Sequence, residues 1–310
     1  MCVNSWRLRV VISGLTFRNP VVLASGVLSN TSGLIRRVVL EGGAGGVTFK
    51  SVTREPRKGF RNPVVTIVKC GVINCMGLPN PGLEESLREV REAKELLPKD
   101  VPLIVSIASS DPKEAQYMAV RFEEVGADAI ELNLSCPHAR GLGAEVSRDL
   151  RLVKELVSSV KSVIKVPLLT KLGLQDNVVE LGKVVEGAGA DAVVAINTVK
   201  ALAIDVYAKR PSLSNVYGGL SGPAIHPIAV RVVYDLYKVL SIPIIGVGGV
   251  EDWVDAVEFI LAGARAVEVG TAVLTRGIGV FREICEGILK YLESEGFRSI
   301  DDVVGLAHKA

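Results

Sequence analysis

The sequence predicts an α/β protein folded as a closed (β/α)8 (TIM) barrel. Three observations point there. Eight short apolar runs alternate with amphipathic helical patterns along 310 residues, the signature of βα units around a parallel sheet. Neither a GxGxxG opening a helix after the first strand nor a GxxxxGK[ST] occurs, so two fingerprints of open doubly wound sheets are missing. The two longest interruptions, 52–82 and 200–222, each follow the C-terminal end of a strand, where barrels build their sites.

Taken in order, residues 8–17 read as a short hairpin that closes the barrel bottom. The strands are VVLASGV from Val21, GGVTFKS from Gly45, PLIVSIAS from Pro102 and AIELNLS from Ala129. PLLTKLG from Pro167, AVVAINTV from Ala192, PIIGVGGV from Pro243 and AVEVGTA from Ala266 complete the eight. Their continuous Val, Ile and Leu content suits strands buried on both faces. Helical spacing of apolar residues marks 83–97, 111–125, 149–163, 177–187, 225–240 and 252–262. Asp111-Pro112 and Asp252 have the chemistry of helix starts. Gly126-Ala127-Asp128 recurs as Gly189-Ala190-Asp191 and, varied, as Gly263-Ala264-Arg265, each where a glycine ends a helix before the next strand. No linker interrupts the pattern, so residues 1–310 are expected to form one domain.

Composition excludes several classes. With 48% hydrophobic and 23% charged residues the chain is neither disordered nor collagen-like. No apolar run reaches the ~18 residues of a membrane helix, and polar residues interrupt the N-terminus too early for a signal peptide. Basic and acidic residues number 36 and 34, a balance that gives no sign of a nucleic-acid binder. Five cysteines, Cys2, Cys70, Cys75, Cys136 and Cys285, suit a reducing compartment, so a cytoplasmic location is expected.

On a barrel, the strand ends present Ala24-Ser25-Gly26, Lys50-Ser51, Ser106, Asn133 with Ser135-Cys136, Lys171, Asn197-Thr198, Gly248-Gly249 and Gly270-Thr271. A strand lysine is costly to bury without an anionic partner. One alone could snorkel to the rim; two beside polar strand ends point to an anionic or electron-rich ligand. The glycine turns after strands seven and eight let backbone N–H groups approach a phosphate. A flavin mononucleotide, pyridoxal phosphate and a sugar phosphate all fit that reading. Cys136, just past strand four and before a proline, sits where a reactive residue belongs. His138 reads more simply as a solvated loop residue, and His226 and His308 have no metal-ligand spacing around them. No metal is expected, and Cys70 and Cys75 lack the further cysteines of an iron–sulfur motif.

At ELNLSCPH (131–138) the chain resembles the class 1 dihydroorotate dehydrogenases, flavin enzymes of pyrimidine synthesis, and the resemblance runs nearly end to end. ASG at 24–26, KSVTREPRKG from Lys50 and NCMGLPNPG from Asn74 are similar to family motifs, the last to the substrate loop N-x-x-G-L-x-N-P-G. AINTVKALAID from Ala195 and GGLSGPAIHPIAVR from Gly218 resemble the NAD-linked class 1B. The resemblance implies one FMN across the barrel mouth. Its phosphate would meet Gly248, Gly249, Gly270 and Thr271. Its ring would meet Ala24, Ser25, Gly26, Lys50, Ser51, Ser106, Asn133, Lys171, Ile196 and Gly222. Substrate would be held by Lys50, Asn74, Met76, Gly77, Leu78, Asn133, Asn197 and Thr198, with Lys50 on its carboxylate and Cys136 as the catalytic base. The implied assembly is a homodimeric core joined in a heterotetramer by an electron-transfer subunit carrying FAD and a 2Fe–2S cluster.

Other readings attach to particular residues. CPH at 136–138 also occurs in dihydropyrimidine dehydrogenase, whose substrate lacks the carboxylate. Ser106 is closer to the fumarate-linked class 1A. A flavin-free lyase with Lys171 as a Schiff-base nucleophile would use the phosphate turns but leave Cys136 and the asparagines without work.

Overall fold

The computed structural model describes residues 5–135 and 146–309. Its centre is a closed barrel of eight parallel strands, paired in chain order. They are β1 (Val21–Leu23), β2 (Gly46–Val52), β3 (Leu103–Ile107), β4 (Ala129–Asn133), β5 (Leu168–Leu172), β6 (Ala192–Ala195), β7 (Ile244–Val247) and β8 (Ala264–Val269). Every residue of β3, β4, β5 and β6 is buried, as expected of strands with side chains inside and helices outside. Burying each such Val, Ile or Leu contributes on the order of 1.5–3 kcal/mol.

Helices α1 (Ser32–Arg37), α2 (Leu83–Leu96), α3 (Pro112–Glu124), α4 (Leu150–Lys161), α5 (Val178–Gly187), α6 (His226–Tyr237), α7 (Trp253–Leu261) and α8 (Val280–Ser294) wrap the barrel. Side-chain caps fix several starts. Asp111 accepts from the N–H groups of Lys113 and Glu114 with Pro112 in the first turn, and Asp252 and Asp255 form a capping box. Three helices are absent from the periodicity reading: α1, only six residues before a π-type turn, the five-residue Ala272–Arg276, and the fifteen-residue α8.

The recurring Gly-Ala-Asp is a clamp on the barrel's N-terminal face. Gly126 and Gly189 turn the chain at φ +98° and +102°, a region open to glycine. The following Asp then takes two partners. Asp128 accepts from the Leu103 N–H at 2.8 Å and from Lys94 at 2.6 Å; Asp191 accepts from the Leu168 N–H at 2.7 Å and from Lys161 at 2.6 Å. The N-terminal hairpin, Val10–Ile12 against Leu15–Phe17, lies on this face, where the Ser13 hydroxyl donates to the Asp191 carbonyl at 2.7 Å.

The two insertions, expected as long loops, form ordered sheet together. Val65–Val68 and Gly71–Asn74 from the first pair antiparallel, and Gly218–Ser221 and Val199–Ala201 from the second extend them to four strands. Asn74 lies opposite Gly219 across the join. That contact is tight: a Cβ on Gly71 would stand 2.0 Å from the Ser221 carbonyl oxygen.

Candidate active site

A cavity of about 480 Å³ opens at the C-terminal face, within the usual ~300–1,000 Å³ of small-molecule sites. Strands β1 and β2 bring Ala24, Ser25, Gly26, Lys50 and Ser51 to it. Asn133 ends β4, Lys171 lies in β5, and Ile196, Asn197 and Thr198 follow β6. Gly248 and Gly249 follow β7, while Gly270 and Thr271 follow β8. The sheet formed by the insertions supplies Asn74, and the turn after it Met76, Gly77 and Leu78; Gly222 closes the other end. These residues come from almost the whole chain, and the barrel and the sheet of the insertions together bring them to one cavity.

One expected residue among those described stands apart. Ser106 is fully buried and does not line the cavity; it lies beneath, with its hydroxyl 2.8 Å from the Ser51 hydroxyl. It can reach a ligand only through Ser51. Cys136 and His138 fall outside the described residues.

A belt of hydrogen bonds fixes the polar wall. Ser51 N–H donates to the Ser25 hydroxyl at 3.1 Å, and the Asn133 amide donates to Ser51 Oγ at 3.0 Å. Ser135 donates to Asn133 Oδ1 at 2.9 Å, and the Asn197 amide donates to Ser135 Oγ at 2.9 Å. Strands one, two, four and six are thereby linked through side chains, and both asparagines are held in one orientation. Ser135 is the key joint; its place between Asn133 and Cys136 in the motif is its only sequence signal.

Glycines shape the opposite end. Gly248 and Gly249 have φ of +136° and +72°, and a Cβ on Gly249 would meet the Gly222 carbonyl at 2.7 Å and His226 at 2.8 Å. The backbone itself therefore forms this wall, with N–H groups available to an anion.

An ionic cluster makes up the floor, where Lys171 and Glu268 both line the cavity. Lys171 Nζ is 2.5 Å from Glu268 Oε2, and Thr48 donates to Glu268 Oε1 at 2.7 Å; all three residues are buried. Burial works to lower the Lys171 ammonium, but Glu268 and Glu131 outweigh it and hold it above the ordinary lysine range. Glu131, wholly buried in β4, is pushed up to about 7. Burial is the main cause, opposed by Lys171 and reinforced by Glu268, while Ser106 lowers it slightly. Glu131 and Glu268 both went unremarked in the sequence, although each is a charge inside an apolar strand, and Glu131 is two residues from inward-facing Asn133.

The structure also gives His226 neighbours that spacing did not. Its Nε2 lies 2.7 Å from Glu258 and 3.7 Å from Asp255, and Nδ1 lies 3.2 Å from the Gly248 carbonyl. Because Asp255 also caps α7, the group reads as a tie between the glycine turn and that helix.

The profile of the dihydroorotate dehydrogenase family matches residues 7–292. The chain belongs to the dihydroorotate dehydrogenase family. This family is flavin-dependent, in keeping with a glycine-walled, lysine-bearing cavity. A relative from Pyrococcus furiosus, named dihydroorotate dehydrogenase B (NAD(+)), catalytic subunit, is 54% identical over 303 residues, covering 97% of this chain and 99% of that protein. One of the same name from Methanothermobacter thermautotrophicus is 47% identical over 304 residues, covering 97% and 98%. A relative from Aeropyrum pernix, provisionally named a dihydroorotate dehydrogenase A (fumarate), is 46% identical over 303 residues, covering 98% of each. Dihydroorotate dehydrogenase relatives thus match this chain across the barrel and both insertions, and among the described residues no helix is long and apolar enough to cross a membrane.

Proposed function

We propose that this chain is the FMN-binding catalytic subunit of an NAD-linked class 1B dihydroorotate dehydrogenase, oxidising dihydroorotate to orotate for pyrimidine synthesis in the cytoplasm. The observation that carries the reading is the meeting, in one cavity, of a lysine and three asparagines with a glycine wall and a second, buried lysine.

The cavity fits the cofactor. The backbone at Gly248, Gly249 and Gly270, with Thr271, would hold the phosphate, since these residues line the cavity and Gly249 is packed too closely on Gly222 and His226 to carry a side chain. Ala24, Ser25, Gly26, Ser51, Ile196 and Gly222 would border the ring, and Lys171 would lie beneath it. Bound FMN supplies the acceptor for the hydride leaving carbon 6 of the substrate.

The chain's own residues do the rest. Lys50 pairs with the substrate carboxylate. The side-chain amides of Asn74, Asn133 and Asn197 each offer a donor and an acceptor, matching the alternating N–H and C=O groups of the pyrimidine ring. The hydrogen-bonded belt sets the amides of Asn133 and Asn197 before substrate arrives, so their orientation is not repaid on binding. The carbon-5 proton is weakly acidic and needs a base; Cys136, next to Ser135, is assigned that work, its thiol ionising nearer neutrality than a serine. The dehydrogenase half-reaction is complete within this one barrel domain. Transfer to NAD would fall to a partner subunit with FAD and a 2Fe–2S cluster on a homodimeric core.

The test has two stages. The purified chain should release FMN on denaturation, and dihydroorotate should bleach the bound flavin in a single turnover. Cys136→Ala should keep the flavin yet slow that bleaching by about 10²–10⁴-fold; a near-parental rate would remove Cys136 from its role. Turnover with NAD should require the partner, whereas turnover with fumarate by the chain alone would assign it to class 1A.

A further inference from the structure

We propose that Glu131 is a proton-carrying carboxylic acid built into the barrel floor, where its protonation state sets the charge that Lys171 offers to the cofactor. The inference rests on the flavin reading above and concerns a residue outside the cavity wall.

Two carboxylates act on one ammonium, and one of them, Glu268, is bonded to it. Lys171 of β5 is bonded to Glu268 of β8, and Glu268 is also bonded to Thr48 of β2. Glu131 of β4 faces the same pair, yet neither of its oxygens has a hydrogen-bond partner among the described residues. Ser106 of β3, its register neighbour, has its hydroxyl 2.8 Å from the Ser51 hydroxyl and is the one hydroxyl that also acts on Glu131, lowering it less than burial raises it. Those are the charged and hydroxyl groups that bear on Glu131 from the strands around it. A wholly buried carboxylate whose oxygens make no well-formed hydrogen bond is poorly stabilised when ionised, so the neutral acid is favoured. Its rise to about 7 agrees.

The charge count follows. With Glu131 protonated, Lys171, Glu268 and Glu131 together are neutral. Loss of the proton leaves one net negative charge at the floor. A cofactor that gains negative charge on accepting hydride is then opposed, and the opposition is relieved when Glu131 takes a proton from solvent. Glu131 acts through Lys171 and is a positioning residue. At an effective protein dielectric of ~20 one charge ~10 Å away changes an equilibrium by roughly tenfold to twentyfold.

The experiment has one arm on the chain and one on the holoenzyme. In flavin-free protein labelled with ¹³C-glutamate, one carboxyl resonance should titrate near pH 7 and vanish in Glu131→Gln. Absence of that titration overturns the proposal. In the flavin-loaded protein, ionising Glu131 should lower the preference for reduced over oxidised flavin by roughly tenfold between pH 6 and pH 8. For a two-electron couple this is about 30 mV beyond the flavin's own proton dependence. Glu131→Gln, which keeps the neutral shape, should match the parent potential at pH 6 and lose the extra fall at pH 8. Identical pH profiles for parent and variant overturn the proposal. A chain that binds no flavin defeats the functional reading instead, and the resonance still decides the state of Glu131.

Discussion

Replacing Lys171 with methionine isolates the cluster at the cavity floor. Lys171 and Glu268 are 2.5 Å apart and both buried, and removing one member of a buried pair typically destabilises by about 3–5 kcal/mol. Glu268 keeps the Thr48 hydrogen bond, so the lower figure, about 3 kcal/mol, is expected at pH 8. The loss should depend on pH. Without the ammonium, Glu131 and Glu268 would retain a proton between them that the unfolded chain releases. Stability relative to the parent then falls as pH rises, by up to ~1.4 kcal/mol per pH unit. Below pH 7 the parent's Glu131 is protonated too, so the difference accrues mainly above that pH, and at pH 6 the penalty should shrink to about 1.6 kcal/mol. Lys171→Met with Glu268→Leu removes both charges and should return most of the stability at pH 8. Guanidinium unfolding of the flavin-free proteins, followed by circular dichroism at both pH values, measures all of this. Equal losses at pH 6 and 8, or a double variant as weak as the single one, would refute the electrostatic account.

Further outcomes can be measured on the same material. Lys50→Ala should weaken orotate by about tenfold to a hundredfold, the equivalent of ~1.5–3 kcal/mol for an ionic hydrogen bond, but uracil far less; equal losses in titrations of flavin-replete protein would show that Lys50 does not read the carboxylate. Gly249→Ala combines a φ of +72° with a Cβ 2.7 Å from the Gly222 carbonyl, so equilibrium dialysis should show FMN retention reduced by an order of magnitude or more. Glu131→Gln should gain stability over the parent as pH rises from 5 to 8. The carboxyl, moved from 4.5 to about 7, withholds a proton in the folded state across that window, a cost of about 3 kcal/mol once pH exceeds 7. Thermal unfolding midpoints that keep a constant offset between the two proteins would contradict it.

The parts that were readable in the sequence are those written by local rules. Each barrel strand is a compact run of β-branched and aliphatic residues, and the caps at Asp111 and Asp252 carry their own signal. Helix α1 was hidden because six residues give too few turns for a period. The strand-forming potential of the insertions was hidden differently. Gly71–Asn74 finds one partner six residues away and another about 145 residues away, and no local pattern announces the second. At the site, the cavity-lining residues stood out as polar groups at strand ends or as motif matches. Glu131 and Glu268 did not, because their meaning depends on meeting Lys171 across the barrel interior. Ser106 is a polar strand residue whose hydroxyl meets another side chain, Ser51, a neighbour that no local pattern announces.

The four-stranded sheet outside the barrel has a consequence for exchange between relatives. It is sewn from two stretches of chain, and its inner strands carry Asn74 on one side and lead into Gly222 on the other. Substrate-facing and cofactor-facing backbone are therefore parts of one plate. A chimera that imports only residues 52–82 from a relative brings a new edge to an old partner, and it must keep a glycine at 71, where a Cβ would stand 2.0 Å from the Ser221 carbonyl oxygen. Any mismatch there would tilt Asn74 and Gly222 together. The two insertions thus form a single unit of inheritance, to be transplanted as a pair while the eight strands beneath stay as they are.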